Sequence, residues 1–162
     1  MLCTIVMRVL SVQVFFLAAN VFGQQQRYPP SRAAAPQTLQ LYGTGNQIYS
    51  CSGGTWAPVG AEAQLYDQRG ATVGHHYFSG GGPRFDLDMF GTIVARKIST
   101  QPAPSPGNAP WLKLQALPGS TAPFRFVTRT QTNRGVPSSP GCQGNQQNVQ
   151  VPYSAVYTFS MN

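Results

Sequence analysis

The chain has 162 residues, a formal net charge of +7 and only 9% charged residues, against roughly 25% in an average domain. Charges this sparse disfavour a helical bundle with salt-bridged faces, and 17 glycines and 14 prolines leave few places for a long helix. The length suits one domain, built mostly of short strands and turns.

The first residues have the pattern of an export signal. Arg8 precedes an apolar stretch over residues 9–19, which is too short to cross a bilayer core of about 20 residues. Val21 and Gly23 stand at the two positions that a signal peptidase inspects. We therefore expect a cleaved signal peptide over residues 1–23 and a secreted, extracellular product.

The cysteine count supports export. Cleavage would remove Cys3 and leave Cys51 and Cys142, which allow one intramolecular disulfide. An oxidising compartment favours that bridge, whereas a structural zinc site would need four ligands. We predict the disulfide Cys51–Cys142 and no metal site at this pair.

The charges are unevenly distributed. Losing Arg8 lowers the formal charge from +7 to +6. All acidic residues lie within residues 62–88, and the charged residues among 89–162 are all Lys or Arg. A basic surface could engage an anionic surface or wall polymer. No run of Lys and Arg exceeds two, so no nucleic-acid partner is expected, and no second apolar segment predicts a membrane span after cleavage.

Residues 24–38 are polar and broken by proline, which predicts a flexible lead-in to one β-rich domain over residues 39–162. Residues 47–51 are strand-prone. Residues 63–66 and 71–77 flank the turn Asp67-Gln68-Arg69-Gly70, which predicts a hairpin. Two further strands are predicted over residues 92–98 and 111–116.

The last two predicted strands alternate more clearly. Phe124 and Phe126 alternate with Arg125 and Val127, which predicts one aromatic face. Residues 153–161 alternate with period two, and residues 132–150 form a long Gly/Pro/Asn/Gln loop that contains Cys142. We expect an all-β fold, an antiparallel β-sandwich or barrel-like domain with long loops and one disulfide.

Several motifs occur in a familiar order over residues 39–160. They are Gly45-Asn46-Gln47-Ile48-Tyr49-Ser50-Cys51 with Trp56, Ala63-Gln64-Leu65-Tyr66-Asp67 with Gly70, Val73-Gly74-His75-His76-Tyr77, Pro110-Trp111-Leu112, Arg129-Thr130-Gln131-Thr132 with Gly135-Val136-Pro137, Gly141-Cys142, and Val151-Pro152-Tyr153-Ser154-Ala155-Val156-Tyr157. In these motifs the chain resembles the secreted, functionally uncharacterised family called domain of unknown function 3455, found in bacteria and fungi. The resemblance implies a secreted β-rich domain and no established activity.

The chain departs from the family at two places. Where the family usually has Gly-Pro followed by Trp and an acid, this chain has Gly82-Pro83-Arg84-Phe85-Asp86. Arg134 stands where a second glycine is common. If the first segment lines a pocket in relatives, that pocket differs here.

Little in the sequence supports an enzyme, and the catalytic residues are unknown. His75 and His76 are neighbours on a predicted strand, so they point to opposite faces and cannot chelate one metal together. One of them with Asp86 and Asp88 would make a metal site of the facial type, and solvated acids beside a structural histidine are the alternative. No nucleophile elbow and no dinucleotide fingerprint occurs, so no cofactor is expected.

A binding module is the preferred hypothesis. Aromatic rings could stack on sugars or fill the core, and Phe78 precedes the glycine-rich segment Ser79-Gly80-Gly81-Gly82. The candidate ligand-binding residues are Trp56, His75, His76, Tyr77, Phe78, Phe85, Trp111 and Arg129. We expect a secreted binding or surface protein, associated with cell-wall polysaccharide or a host surface. A small extracellular hydrolase or metal-dependent enzyme is the alternative.

Overall fold

The computed structural model describes residues 35–162, in which all regular structure is β-strand. The predicted signal peptide and most of the predicted lead-in lie outside the described residues. The strands are β1 Thr38–Ser52, β2 Thr55–Tyr66, β3 Thr72–Ser79, β4 Gly82–Leu87, β5 Gly91–Gln101, β6 Trp111–Ala116, β7 Phe126–Arg134 and β8 Val149–Ser160.

The strands form one closed antiparallel barrel in chain order. Each strand pairs with the next, and β1 also pairs with β8 from Thr38 opposite Ser160 to Tyr49 opposite Val149. The all-β, antiparallel expectation is therefore confirmed, and of the two expected architectures the barrel is confirmed and the sandwich is wrong. The reason is the length of β1, which pairs along its course with both β2 and β8 and so leaves no free edge between two sheets.

The up-and-down order gives the barrel two different ends. The connections 53–54, 80–81, 102–110 and 135–148 lie at one end, which we call the open end. The connections 67–71, 88–90 and 117–125 lie at the other, the closed end. Side chains alternate between the interior and the outer face along each strand.

Aromatic rings fill the closed end. Phe124, in the connection before β7, packs against Phe90 and Phe159 with ring centroids 5.5 and 5.8 Å apart. Phe159 meets Phe85 edge to face at 5.4 Å. Phe85, Phe124 and Phe159 are almost fully buried. This half of the interior is a packed core.

Several predicted elements are confirmed. β6 has the predicted bounds, and β2 and β3 form the predicted hairpin through residues 67–71. Tyr153, Ala155, Tyr157 and Phe159 of β8 are buried at every second position, as the alternation predicts.

One expectation is wrong. Phe124 and Phe126 do not share a face: Phe124 and Val127 are buried, whereas Phe126 is only half-buried and lies under the Lys113 ammonium. The alternation changes phase because Phe124 belongs to the connection that closes the barrel, and β7 begins after it. The glycine-rich segment after Phe78 is a tight turn, in which Gly80 and Gly81 have positive φ and lead into β4.

A disulfide joins Cys51, at the end of β1, to Cys142 in the connection 135–148, with the two Cα atoms 5.7 Å apart. The Cys51 amide donates to Gln146 O and the Cys142 amide to Gly54 O. The predicted pairing is confirmed, and it fastens the longest connection of the open end to the barrel wall. Within residues 35–162, no helix has the length and apolarity needed to cross a membrane.

Candidate ligand-binding cavity

The barrel holds a cavity of about 620 Å³, most of whose lining residues lie toward the open end. Its wall is largely apolar, with Pro58, Ala95, Leu112, Leu114 and Leu117 among its lining residues. The volume falls within the range of roughly 300–1,000 Å³ that small-molecule sites occupy. The aromatic core closes one end of the barrel, and the cavity occupies the space that the core leaves unfilled.

Four polar side chains from four different strands also line the cavity: Gln47, His76, Arg129 and Tyr157. They lie on β1, β3, β7 and β8. Each of the four side chains is buried. On its own strand, each stands two positions away from another residue that is buried or lines the cavity. The period of two therefore directs them into the barrel.

Arg129 is a buried cation, with 5% of its surface exposed. Its Nε and Nη2 donate to Pro110 O at 3.2 and 2.8 Å, and its Nη1 donates to Gln47 Oε1 at 3.1 Å. The guanidinium also lies 5.9 Å from the centre of the Tyr153 ring. These contacts fix the guanidinium against the 102–110 connection and beside β1.

His76 is buried and uncharged. Nδ1 and Arg84 O are 2.8 Å apart, and because a carbonyl only accepts, Nδ1 carries the proton and Nε2 is an acceptor. Burial lowers the pKa of His76 to about 4, the hydrogen bond to Arg84 O opposes this, and the charges of Arg129 and His75 lower the pKa further. The ring stacks on Phe85 at 4.2 Å.

Three tyrosines add hydroxyl groups to this part of the interior. Tyr49 Oη donates to Gly135 O at 2.6 Å, and the hydroxyls of Tyr153 and Tyr157 are 2.7 Å apart. Burial raises the pKa of all three, and the charge of Arg129 opposes the shift. All three phenols are therefore neutral hydrogen-bonding groups at neutral pH.

The Gln47 amide completes the polar wall. Its Oε1 accepts from Arg129, and its Nε2 is buried without a hydrogen-bond partner. A buried amide donor without an acceptor is unfavourable in a folded protein. The side chain therefore has a donor to offer to a molecule in the cavity.

The mouth of the cavity is apolar and basic. Phe78 and Val136 are 44% and 38% exposed and line it from the end of β3 and from the connection 135–148. Arg96 and Lys97 of β5 also line it, and both are exposed. Lys97 is two residues beyond the buried Ala95, so it lies on the inward-facing side of β5 at the rim.

The cavity brings together three of the eight residues that the sequence suggested: His76, Phe78 and Arg129. Phe85 lies in the packed core. Trp56 donates from its indole nitrogen to Ser139 O at 3.1 Å, and Trp111 does not line the cavity, although its indole nitrogen is buried without a partner.

His75 and Tyr77 lie together outside the cavity. Their rings stack at 5.2 Å, and His75 Nε2 lies 3.5 Å from Glu62 Oε1. The adjacent histidines thus occupy opposite faces of β3, as the sequence predicts, with His76 buried and His75 partly exposed.

The structure places only part of the suggested metal site together. His75 pairs with Asp86 across β3 and β4, and Asp86 accepts a hydrogen bond from Thr92 Oγ1 at 2.7 Å. Asp88 follows the end of β4. Among the described residues, no three His, Cys, Asp or Glu side chains are grouped so that they could hold a metal ion.

Sequence reasoning missed Gln47, Tyr49, Tyr157 and Leu112 as cavity residues. A signal was present for the first two: Leu41, Gln47, Tyr49 and Cys51 share one parity along β1, so a glutamine occupies an otherwise apolar inward set. A polar residue in such a set indicates either a buried network or a site.

Comparison with protein families gives one finding. The statistical model of the family described as "Protein of unknown function (DUF3455)" matches residues 31–160. The chain belongs to this family. The match covers the whole barrel, from β1 to the end of β8, so the cavity lies within the family domain. Comparison with curated proteins and with solved structures gives no match.

Proposed function

We propose that the chain is a secreted binding protein whose barrel holds a small, mainly apolar molecule in its open half. The observation that carries the proposal is the cavity of about 620 Å³, with apolar walls and a few convergent polar groups. That combination is typical of small-molecule sites, in which apolar walls supply affinity and polar groups fix orientation.

Three further features support this proposal. The exposed side chains of Phe78 and Val136 at the mouth form an apolar surface along which an apolar molecule can enter the cavity. The disulfide between Cys51 and Cys142 suits an oxidising, extracellular location. The signal peptide predicted over residues 1–23 is in keeping with the same location.

A neutral fluorescent probe tests the proposal. We expect N-phenyl-1-naphthylamine to bind the purified secreted protein saturably, with one site per chain and brighter, blue-shifted emission. Leu112 lines the cavity, so Leu112→Trp should fill part of it and weaken probe binding by about tenfold or more. The measurement is a fluorescence titration, with circular dichroism to show that the variant is folded.

Lys113→Trp is the matched control, because Lys113 is exposed on the same strand and does not line the cavity. It should bind the probe within about twofold of the parent protein. No saturable binding to the parent protein, or equal loss in both variants, would contradict a cavity ligand.

Attachment to cell-wall polysaccharide or another anionic surface is a second proposal, carried by the basic residues 89–162. Retention on insoluble glucan, chitin or cellulose tests it. Retention that disappears at about 0.5 M salt would indicate unspecific charge attraction, because screening is then short-ranged. The metal-dependent enzyme stays a prediction from the sequence, and metal analysis of the purified protein tests it.

A further inference from the structure

Arg129 is a buried cation without an anionic partner. The four acidic side chains of the sequence all belong to the described residues, and in that part of the chain the one ion pair within 4.0 Å joins His75 and Glu62. The partners of Arg129 are a backbone carbonyl, a glutamine amide and the hydroxyls of Tyr153 and Tyr157, all of them neutral. Burial of a charge is unfavourable unless an opposite charge or a full set of hydrogen bonds compensates it.

The donors around Arg129 meet only neutral acceptors. Its three hydrogen bonds of good geometry occupy three of its five N–H groups, and the guanidinium also interacts with the neutral hydroxyls of Tyr153 and Tyr157. The Gln47 amide, which is 6% exposed, turns Oε1 toward Arg129, and its Nε2 makes no hydrogen bond of good geometry, with the neutral Tyr153 hydroxyl as its nearby polar group. The hydroxyls of Tyr153 and Tyr157 share one hydrogen bond, which uses one of their two protons. A guanidinium, an amide and a hydroxyl therefore face the same part of the interior.

We propose that the ligand carries a carboxylate, which Arg129 and Gln47 bind inside the cavity. This inference rests on the proposed function and specifies the head group of the ligand. A carboxylate matches the site because it is planar, accepts several hydrogen bonds and supplies the one negative charge that the guanidinium lacks.

The other residues of the cavity wall indicate the chemistry of the ligand beyond its head group. Ala95, Leu112, Leu114 and Leu117 offer no charged or hydrogen-bonding side chain, so the body is apolar and without charge. Arg96 and Lys97 at the mouth carry the sign that attracts an anion toward the opening. The ligand class is therefore a monocarboxylic acid with an aliphatic or aromatic body.

Three ligands with the same chain separate head group from body. Decanoate, 1-decanol and decyl phosphate compete against bound N-phenyl-1-naphthylamine at neutral pH. We expect decanoate to displace the probe at about tenfold lower concentration than 1-decanol, since a charge-assisted hydrogen bond outweighs a neutral one by about that factor. The preference should persist at about 0.5 M salt, because a buried pair is screened little.

Substitutions assign the preference to residues. Arg129→Gln should reduce the advantage of decanoate to less than about twofold while 1-decanol binds as before. Arg125→Gln removes the same charge from an exposed position beside β7 and should keep the full advantage. If Arg129→Gln does not fold, Arg129→Lys and Gln47→Leu replace it, and each should lower the advantage by about threefold or more.

Each result has one meaning. Equal displacement by decanoate and 1-decanol would overturn the carboxylate and leave the cavity ligand standing. Stronger binding of decyl phosphate than of decanoate would show that the head group belongs to another class of anion. Loss of the preference in Arg125→Gln would move the charge effect to the surface. Failure of the probe itself to bind would contradict the proposed function instead.

Discussion

Two adjacent histidines show how strongly position decides the chemistry of a residue in this barrel. His75 is partly exposed beside Glu62, and His76 is buried between Phe85 and Tyr157. Desolvation lowers the pKa of His76 to about 4, and the nearby Arg129 charge disfavours its protonation further. At neutral pH the buried His76 is therefore uncharged, and Arg129 is the buried cation of this part of the interior.

The buried His76 should make folding stability depend on pH. The unfolded chain binds a proton at this histidine from about pH 6.5 downward, whereas the folded chain does so only near pH 4. Stability from this group is therefore complete above about pH 6.5 and is lost as the pH falls toward 4. The shift corresponds to about 3 kcal/mol.

Urea denaturation at about pH 7.5 and pH 4 measures this effect. We expect the loss of unfolding free energy between the two pH values to be about 3 kcal/mol smaller in His76→Gln than in the parent protein. His75→Gln is the control, because it removes the neighbouring imidazole from the other face, and it should lose stability as the parent does. Equal pH dependence in both variants would show that burial does not lower the pKa of His76 in the folded state.

At the scale of the elements, β1 makes room for the side chains of β8. Gly43 and Gly45 take inward positions between Leu41 and Gln47. A Cβ at Gly43 would meet the Tyr157 ring at 2.5 Å, and a Cβ at Gly45 would collide with the backbone of Glu62. The tyrosine ring thus occupies the space that a side chain at Gly43 would need.

Gly43→Ala should therefore displace Tyr157 and destabilise the barrel by about 1–3 kcal/mol, as overpacking usually does. Thermal or urea denaturation measures the change. Gly60→Ala is the matched control, because its nearest contact would be an ordinary 3.6 Å to Ile48. A stability of Gly43→Ala equal to that of Gly60→Ala would show that Tyr157 has other space.

The elements differ in how far the sequence predicts them. β6 and β8 are predictable because hydrophobic alternation continues over their length. β4 is not, because Gly82-Pro83-Arg84 has the composition of a loop, and its strand conformation comes from pairing with β3 and β5. The phase change between Phe124 and Val127 also has no local signal, since it arises where the connection enters the barrel end.

The candidate site was predictable only in part for a similar reason. His76, Phe78 and Arg129 are of residue types that suggest chemistry, whereas Tyr157 and Leu112 have the pattern of core residues. Inward direction follows from alternation, but the boundary between filled and unfilled interior depends on how eight strands close together. That packing cannot be predicted from the residue pattern of one sequence.

At the scale of the whole molecule, closure has two components. The β1–β8 pairing removes both sheet edges, and the Cys51–Cys142 disulfide spans 91 residues to fix the connection 135–148 at the open end. Val136, in the same connection, lines the cavity. The disulfide therefore stabilises both the fold and one wall of the mouth.

Removing the disulfide should lower the free energy of unfolding and leave the strands of the barrel in place. In Cys51→Ala/Cys142→Ala we expect the free energy of unfolding to fall by about 2–5 kcal/mol, because the unfolded chain is no longer cross-linked. Urea denaturation measures the fall, and circular dichroism should still report the strands. Reduction of the parent protein with dithiothreitol is the control and should give a loss of the same size.

A loss below about 1 kcal/mol would show that strand pairing alone holds the open end. In that case probe affinity should equal that of the parent, whereas a mouth that depends on the bridge would bind the probe more weakly.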